Sequence, residues 1–129
     1  MKKIIKLIRV IAVLVVILSM SSCYYDEVME DVVPINTDIS FQNDVISIFN
    51  TSCNVVGCHN SGGQTPDLTP PNAFNSLISN GYIDANNPTT SELYLWVSGQ
   101  KSTPMPIGGT DPVISSTILA WIEQGALNN

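Results

Sequence analysis

Three residues in one short segment hold most of the chemistry this sequence can offer. They are the two cysteines and the histidine of Cys53-Asn54-Val55-Val56-Gly57-Cys58-His59. His59 is the single histidine of 129 residues, and the third cysteine, Cys23, lies 30 residues upstream. Few reactions suit this set. A structural zinc site takes four ligands, usually Cys or His, and the segment supplies three with no other candidate downstream. An iron–sulfur cluster fails on the same count. A Cys53–Cys58 disulfide is open to the pair in an oxidising compartment. It would close a very small loop, restrain the unfolded chain little, and leave His59 without a part. No serine or cysteine nucleophile is paired with a second base, and no phosphate loop is present.

The remaining chemistry is covalent haem attachment, for which two thiols followed directly by histidine is the pattern. Each thiol adds across one vinyl group of neighbouring pyrrole rings, and the adjacent imidazole then reaches the iron. The commonest spacing puts two residues between the cysteines; here there are four. The longer loop must bulge, and Gly57 is the residue able to absorb a left-handed backbone angle there. A haem iron also takes a second axial ligand, and methionine sulfur raises the potential relative to two nitrogens. Met1 and Met20 fall in the leader and Met29 in the following acidic stretch, so Met105 remains, 46 residues after His59. It sits in Ser102-Thr103-Pro104-Met105-Pro106, where flanking prolines stiffen the backbone. Lys101 ligation or an open iron site are the alternatives at that position.

Four helical patches must position these residues. The first, Ser40–Asn50, is capped by Ser40 or Asp38 and carries Phe41, Val45, Ile48 and Phe49 on one face. The second is Pro71–Ser79, with Thr69 as cap, prolines in its first turn, Gly81 as stop, and Phe74, Leu77 and Ile78 as its apolar face. The third is Ser91–Val97, ending at Gly99. The fourth runs from an Asp111 cap and Pro112 to Gly125, with Ile114, Ile118, Trp121 and Ile122 as its stripe. Strand-like alternation is nearly absent. The expected class is all-α, about four short helices with long loops. A 92-residue domain built this way has little core of its own, so a cofactor is expected to fill its middle.

The two ends of the chain divide by charge. Four of the five basic residues lie within the first nine positions, and all eleven acids follow residue 25. Residues 1–22 read as an export signal: a basic start, then the apolar run Val10–Leu18, short for a spanning helix of roughly 20 residues. Ser19-Met20-Ser21-Ser22-Cys23 resembles the lipobox of bacterial lipoproteins, with Met20 where leucine is more usual. That resemblance implies lipidation of Cys23 and a membrane anchor that does not span. Residues 23–37 then form an acidic tether, and 38–129 the folded domain. From Cys23 onward Lys101 alone faces eleven acids, a formal charge of −10. A nucleic-acid binder needs a basic face and is excluded. The same charge would steer a basic docking face of a partner.

With these pieces in place, residues 38–129 resemble small monohaem c-type cytochromes carried on a bacterial lipoprotein. The resemblance rests on the Cys53/Cys58/His59 segment after a helix, Pro66-Asp67-Leu68, Ser91-Glu92-Leu93-Tyr94, Met105-Pro106, and the ending Trp121-Ile122-Glu123-Gln124-Gly125-Ala126. It implies a cytochrome c-like fold around one covalent haem c. Cys53 and Cys58 would be its attachment points and His59 and Met105 the iron ligands. In that family the first and last helices cross, so Phe41, Val45 and Phe49 would meet Ile118, Trp121 and Ile122. Leu68, Leu77, Leu95 and Ile107 would line the pocket, while Tyr82, Tyr94 and Trp96 read first as core. The implied function is single-electron transfer between redox proteins outside the cytoplasm, at the periplasmic face of the outer membrane or the cell surface. The chain would be a carrier and not an enzyme. Two other readings stay open: a haem protein with an open iron that binds small molecules or peroxide, and a cofactor-free lipoprotein with a Cys53–Cys58 disulfide.

Overall fold

The structure, a computed structural model, describes residues 1, 3–6, 35 and 37–129. Cys23, the apolar run and most of the acidic tether lie outside the described residues, and with them the export and lipidation expectations. Among the described residues no helix is long and apolar enough to cross a membrane. The described part is all-α, with no strand among the described residues. We label its helices α1 (residues 41–53), α2 (Ala73–Ser79), α3 (Glu92–Val97) and α4 (Pro112–Glu123); a single 3₁₀ turn, Pro88–Thr90, precedes α3.

Helix α1 starts on a reciprocal cap. The Ser40 hydroxyl accepts from the Asn43 amide at 3.2 Å, and the Asp44 carboxylate accepts from the Ser40 amide at 2.8 Å. Its first and last turns are wide: the Ile46 amide reaches the Phe41 carbonyl, and the Asn54 amide the Phe49 carbonyl at 2.8 Å. One α-helical turn, Ile46–Ile48, lies between them. The final wide turn carries the helix past Asn50 and through Cys53, which is thereby fixed to a rigid element.

Helix α2 departs from its sequence pattern. Pro70 and Pro71 stay in the turn before it, and the helix opens at Ala73. Thr69 does not cap with its side chain. Its hydroxyl donates to Asp67 at 2.6 Å, while its carbonyl accepts from the Ala73 amide at 2.8 Å. The buried face is Ala73 and Leu77 with Phe74 half-buried, and Ile78 is 44% exposed. Gly81 ends the segment at φ +72°, as its position predicts.

Helix α4 matches the expected signals. Asp111 accepts from the Val113 and Ile114 amides at 2.8 and 3.4 Å, and Pro112 takes the first helical position. Its burial goes further than the predicted stripe. Every residue from Ser116 to Ile122 is buried, because neighbours pack on more than one side. One consequence is a buried Ser116 hydroxyl with no partner.

The core is one continuous cluster drawn from all four helices. Phe41 is its centre. Its ring lies 5.1 Å from Trp121, 5.3 Å from Phe74 and 6.3 Å from Phe49, the last two edge-on. The expected pairing of the first and last helices is therefore present. The chain end closes it. Asn129 accepts from the Ser40 hydroxyl and, through its side chain, from the Phe41 amide, both at 2.9 Å. Trp121 donates its indole N–H to the Leu127 carbonyl at 2.9 Å. Ile35, within the acidic tether of the sequence reading, also packs on this cluster.

Loop carboxylates hold the connections. Thr69 (hydroxyl and amide) and Asn72 hold the Asp67 carboxyl below the usual aspartate value, and Asn87 with nearby amides does the same for Asp84. A depressed native pKa stabilises above the unfolded value and is lost as pH falls through the folded one. The thermal midpoint is therefore expected to drop as pH falls below 3.8, the ordinary aspartate value. Asp67→Asn should flatten that drop in a calorimetric pH series.

Candidate functional site

The loop after α1 is knitted by its own backbone. The Cys58 amide bonds to Val55 at 2.9 Å, His59 to Cys53 at 3.1 Å, and Gln64 to Cys58 at 2.8 Å. Gly57 takes φ +86°, the left-handed angle the four-residue spacing calls for. Val56 rides the outside of this bulge at 96% exposure. Farther on, the Leu68 amide bonds to the His59 carbonyl at 2.8 Å, and Asn54 donates to the Leu68 carbonyl at 3.1 Å. These bonds tie Pro66-Asp67-Leu68 to the cysteine loop.

This arrangement makes one wall of a cavity of about 420 Å³, inside the usual range of roughly 300–1,000 Å³ for small-molecule and cofactor sites. Cys53, Cys58, His59 and Met105 all line it. Cys53 ends α1, Cys58 and His59 follow in the loop after it, and Met105 stands in a second loop far along the sequence; they are every cysteine, histidine and methionine of residues 38–129. Most of the remaining lining is apolar, including Leu68, Tyr82, Leu93, Trp96, Val97 and Ile107.

His59 is oriented by one bond. Its Nδ1 lies 3.1 Å from the Pro66 carbonyl oxygen. A carbonyl can only accept, so in the neutral ring Nδ1 carries the proton and Nε2 keeps its lone pair. This is the outer-shell arrangement that fixes a metal-binding imidazole. Cys53 and Cys58 are both free thiols. Burial, with Cys58 adding, pushes the Cys53 thiol up to about 11, so it stays protonated at neutral pH. Among the described residues no three His, Cys, Asp or Glu side chains cluster closely enough to chelate a metal ion. The three residues of the segment form a cavity wall instead.

The Met105 loop is held from α3. The Met105 amide donates to the Trp96 carbonyl at 3.3 Å. Glu92 and Trp96 sit one turn apart on α3, and the Glu92 carboxylate accepts from the Trp96 indole at 2.8 Å. Its other oxygen pairs with Lys101 at 2.9 Å. Lys101 holds the Glu92 carboxyl below its usual value, with Trp96 contributing.

Of the pocket residues expected from sequence, Leu68 and Ile107 line the cavity. Leu77 is fully buried in the helical core instead, and Leu95 does not reach the cavity. Tyr94 is core, as read, and Tyr82 packs on the core while also lining the cavity, whereas Trp96 faces the cavity. Glu92 was given no part in the site by sequence, and Pro66 entered only within Pro66-Asp67-Leu68, one of the segments that carry the resemblance, with no part for its carbonyl. The i, i+4 spacing of Glu92 and Trp96, close before Lys101, the only base after Arg9, was the available signal for Glu92. The carbonyl of Pro66 left none, because the bond it makes belongs to the tertiary fold. No protein-family model matches the chain, and searches of curated proteins and of solved structures give no match.

Proposed function

We propose that this chain is a monohaem c-type cytochrome that carries single electrons between redox proteins outside the cytoplasm, tethered to a membrane by lipid on Cys23. One observation carries the reading: both thiols, the only histidine and the only methionine of the domain converge on one largely apolar cavity. The cavity suits the group on three counts. Its volume is that of a cofactor site. Its thiols are not spent on each other. Its imidazole, in the neutral form, leaves Nε2 free to bind because the Pro66 carbonyl holds Nδ1.

On this reading Cys53 and Cys58 hold the haem as thioethers, and His59 Nε2 and Met105 Sδ hold its iron. When bound, the haem supplies the one-electron couple. The chain's own part is to fix the ligands and keep the site dry. Pro66 orients His59, the Trp96 carbonyl anchors the methionine loop, and Leu68, Leu93 and Val97 exclude water. A soft sulfur ligand and an apolar surround both favour the ferrous state and raise the potential. The eleven acids against Lys101 favour brief docking on a basic partner face.

The test is the mass and visible spectrum of the protein produced in a host able to attach haem c. The expected product carries one haem of added mass that survives denaturation. Chain of unmodified mass from such a host would sink the proposal.

A further inference from the structure

Residues 99–110 form a loop whose ends meet. A Cβ added at Gly99 would come within 2.7 Å of the Thr110 methyl carbon, so the two ends are in close contact. Loops of this size with touching ends are held by a few internal and stem contacts. Among the described residues, two hydrogen bonds join 101–110 to the rest of the chain. One is the Met105 amide on the Trp96 carbonyl at 3.3 Å, a long bond. The other is Lys101 Nζ on Glu92 Oε2 at 2.9 Å. Glu92 is itself held from behind by the Trp96 indole at 2.8 Å, and Lys101 Nζ lies 6.0 Å from the centre of that ring. Glu92, Trp96 and Met105 all line the cavity. The single base of the folded domain is thus placed at the stem of the loop that carries the single methionine.

We propose that Glu92, Trp96 and Lys101 are positioning residues, an ionic latch that holds the Met105 loop closed over the cavity. The inference rests on Met105 being an iron ligand. The latch acts by keeping the loop on α3. The pair is solvent-accessible, with side-chain exposures of 31% and 38%, so its effect is on the loop and not on global stability.

The experiment uses the haem-loaded protein and imidazole as a competing ligand for the ferric iron. Lys101→Ala and Glu92→Gln are expected to raise apparent imidazole affinity by about two- to fivefold, the range open to one exposed ion pair. Haem mass and thermal unfolding should stay as in the parent. Lys101→Arg, which keeps the charge and the donors, should restore parental affinity. Met105→Ala is the reference and should give the tightest imidazole binding of the set. Parental affinity in both latch variants, with Met105→Ala shifted, would overturn the latch and leave methionine ligation standing. Parental affinity in Met105→Ala would overturn both.

Discussion

His59→Ala, produced in a host able to attach haem c, is expected to lose native holoprotein altogether. Removing the hydrogen-bonded partner of a metal-binding histidine typically lowers metal affinity about 10- to 100-fold, so loss of the ligand itself should exceed about a hundredfold. The contrast with a structural histidine is large enough to decide the matter. As a structural residue, His59 contributes one bond from Nδ1 to the Pro66 carbonyl at 3.1 Å. Deleting such a bond costs about 0.5–1.5 kcal/mol and leaves a folded chain. A purely structural role therefore predicts a folded, spectrally unchanged variant, and the proposed role predicts a folded chain without the parental spectrum. Circular dichroism establishes that the variant folds, and the visible spectrum with its mass reads the site. The single variants Cys53→Ser and Cys58→Ser should keep colour in native solution but release part of the haem on denaturation. A His59→Ala protein with the parental spectrum would end the ligand assignment.

What could be read from the chain beforehand divides along a physical line. Features set by a few neighbouring residues were legible. Asp111, Pro112 and Gly125 bracket α4 because cap, first-turn proline and stop act within one turn. Gly57 was marked because a four-residue spacing needs one left-handed residue, and it takes one. The four residues that meet at the cavity were legible because residues 38–129 offer no other Cys, His or Met, so types alone singled them out.

The rest depended on contacts that composition does not encode. Thr69 has the chemistry of a cap, yet Asp67 two residues earlier takes its hydroxyl and the helix starts later, at Ala73. The end of α1 was hidden because its last turn is wide and shifts the helical period that apolar spacing reports. Leu77 and Leu95 were assigned to the cavity by resemblance, but Leu77 is spent on the helical core and Leu95 does not reach the cavity. The breadth of burial on α4 followed from the returning chain end and the neighbouring helices, which a single-stripe pattern cannot show.

That returning end makes Trp121 the residue whose loss should cost the fold most. It is fully buried, and its ring lies 5.1 Å from Phe41 at a tilt of 36°. Its indole N–H is the donor that pins the Leu127 carbonyl. Trp121→Ala removes the aromatic contact of α4 with Phe41 of α1 and the tie to the chain end in one step. Large-to-small changes at such positions cost about 3–5 kcal/mol, a large share of the roughly 5–15 kcal/mol that holds a domain. At about 4–8 °C per kcal/mol for this size, the thermal midpoint should fall by at least about 12 °C. Trp121→Phe separates the two contributions. It keeps an aromatic ring against Phe41 and gives up only the bond to Leu127 and part of the volume, so its cost should be well under half. The consequence reaches the cavity, because Phe41 opens the helix that Cys53 ends. If α1 is no longer held against α4, Cys53 loses its fixed position relative to the Met105 loop. Trp121→Ala should then show faster thiol alkylation at Cys53 in the haem-free chain as well as the lower midpoint. A Trp121→Ala chain that melts within a few degrees of the parent would mean that the aromatic cluster is not what holds α1 on α4, and that the wall carrying Cys53 is fixed by the loop's own hydrogen bonds.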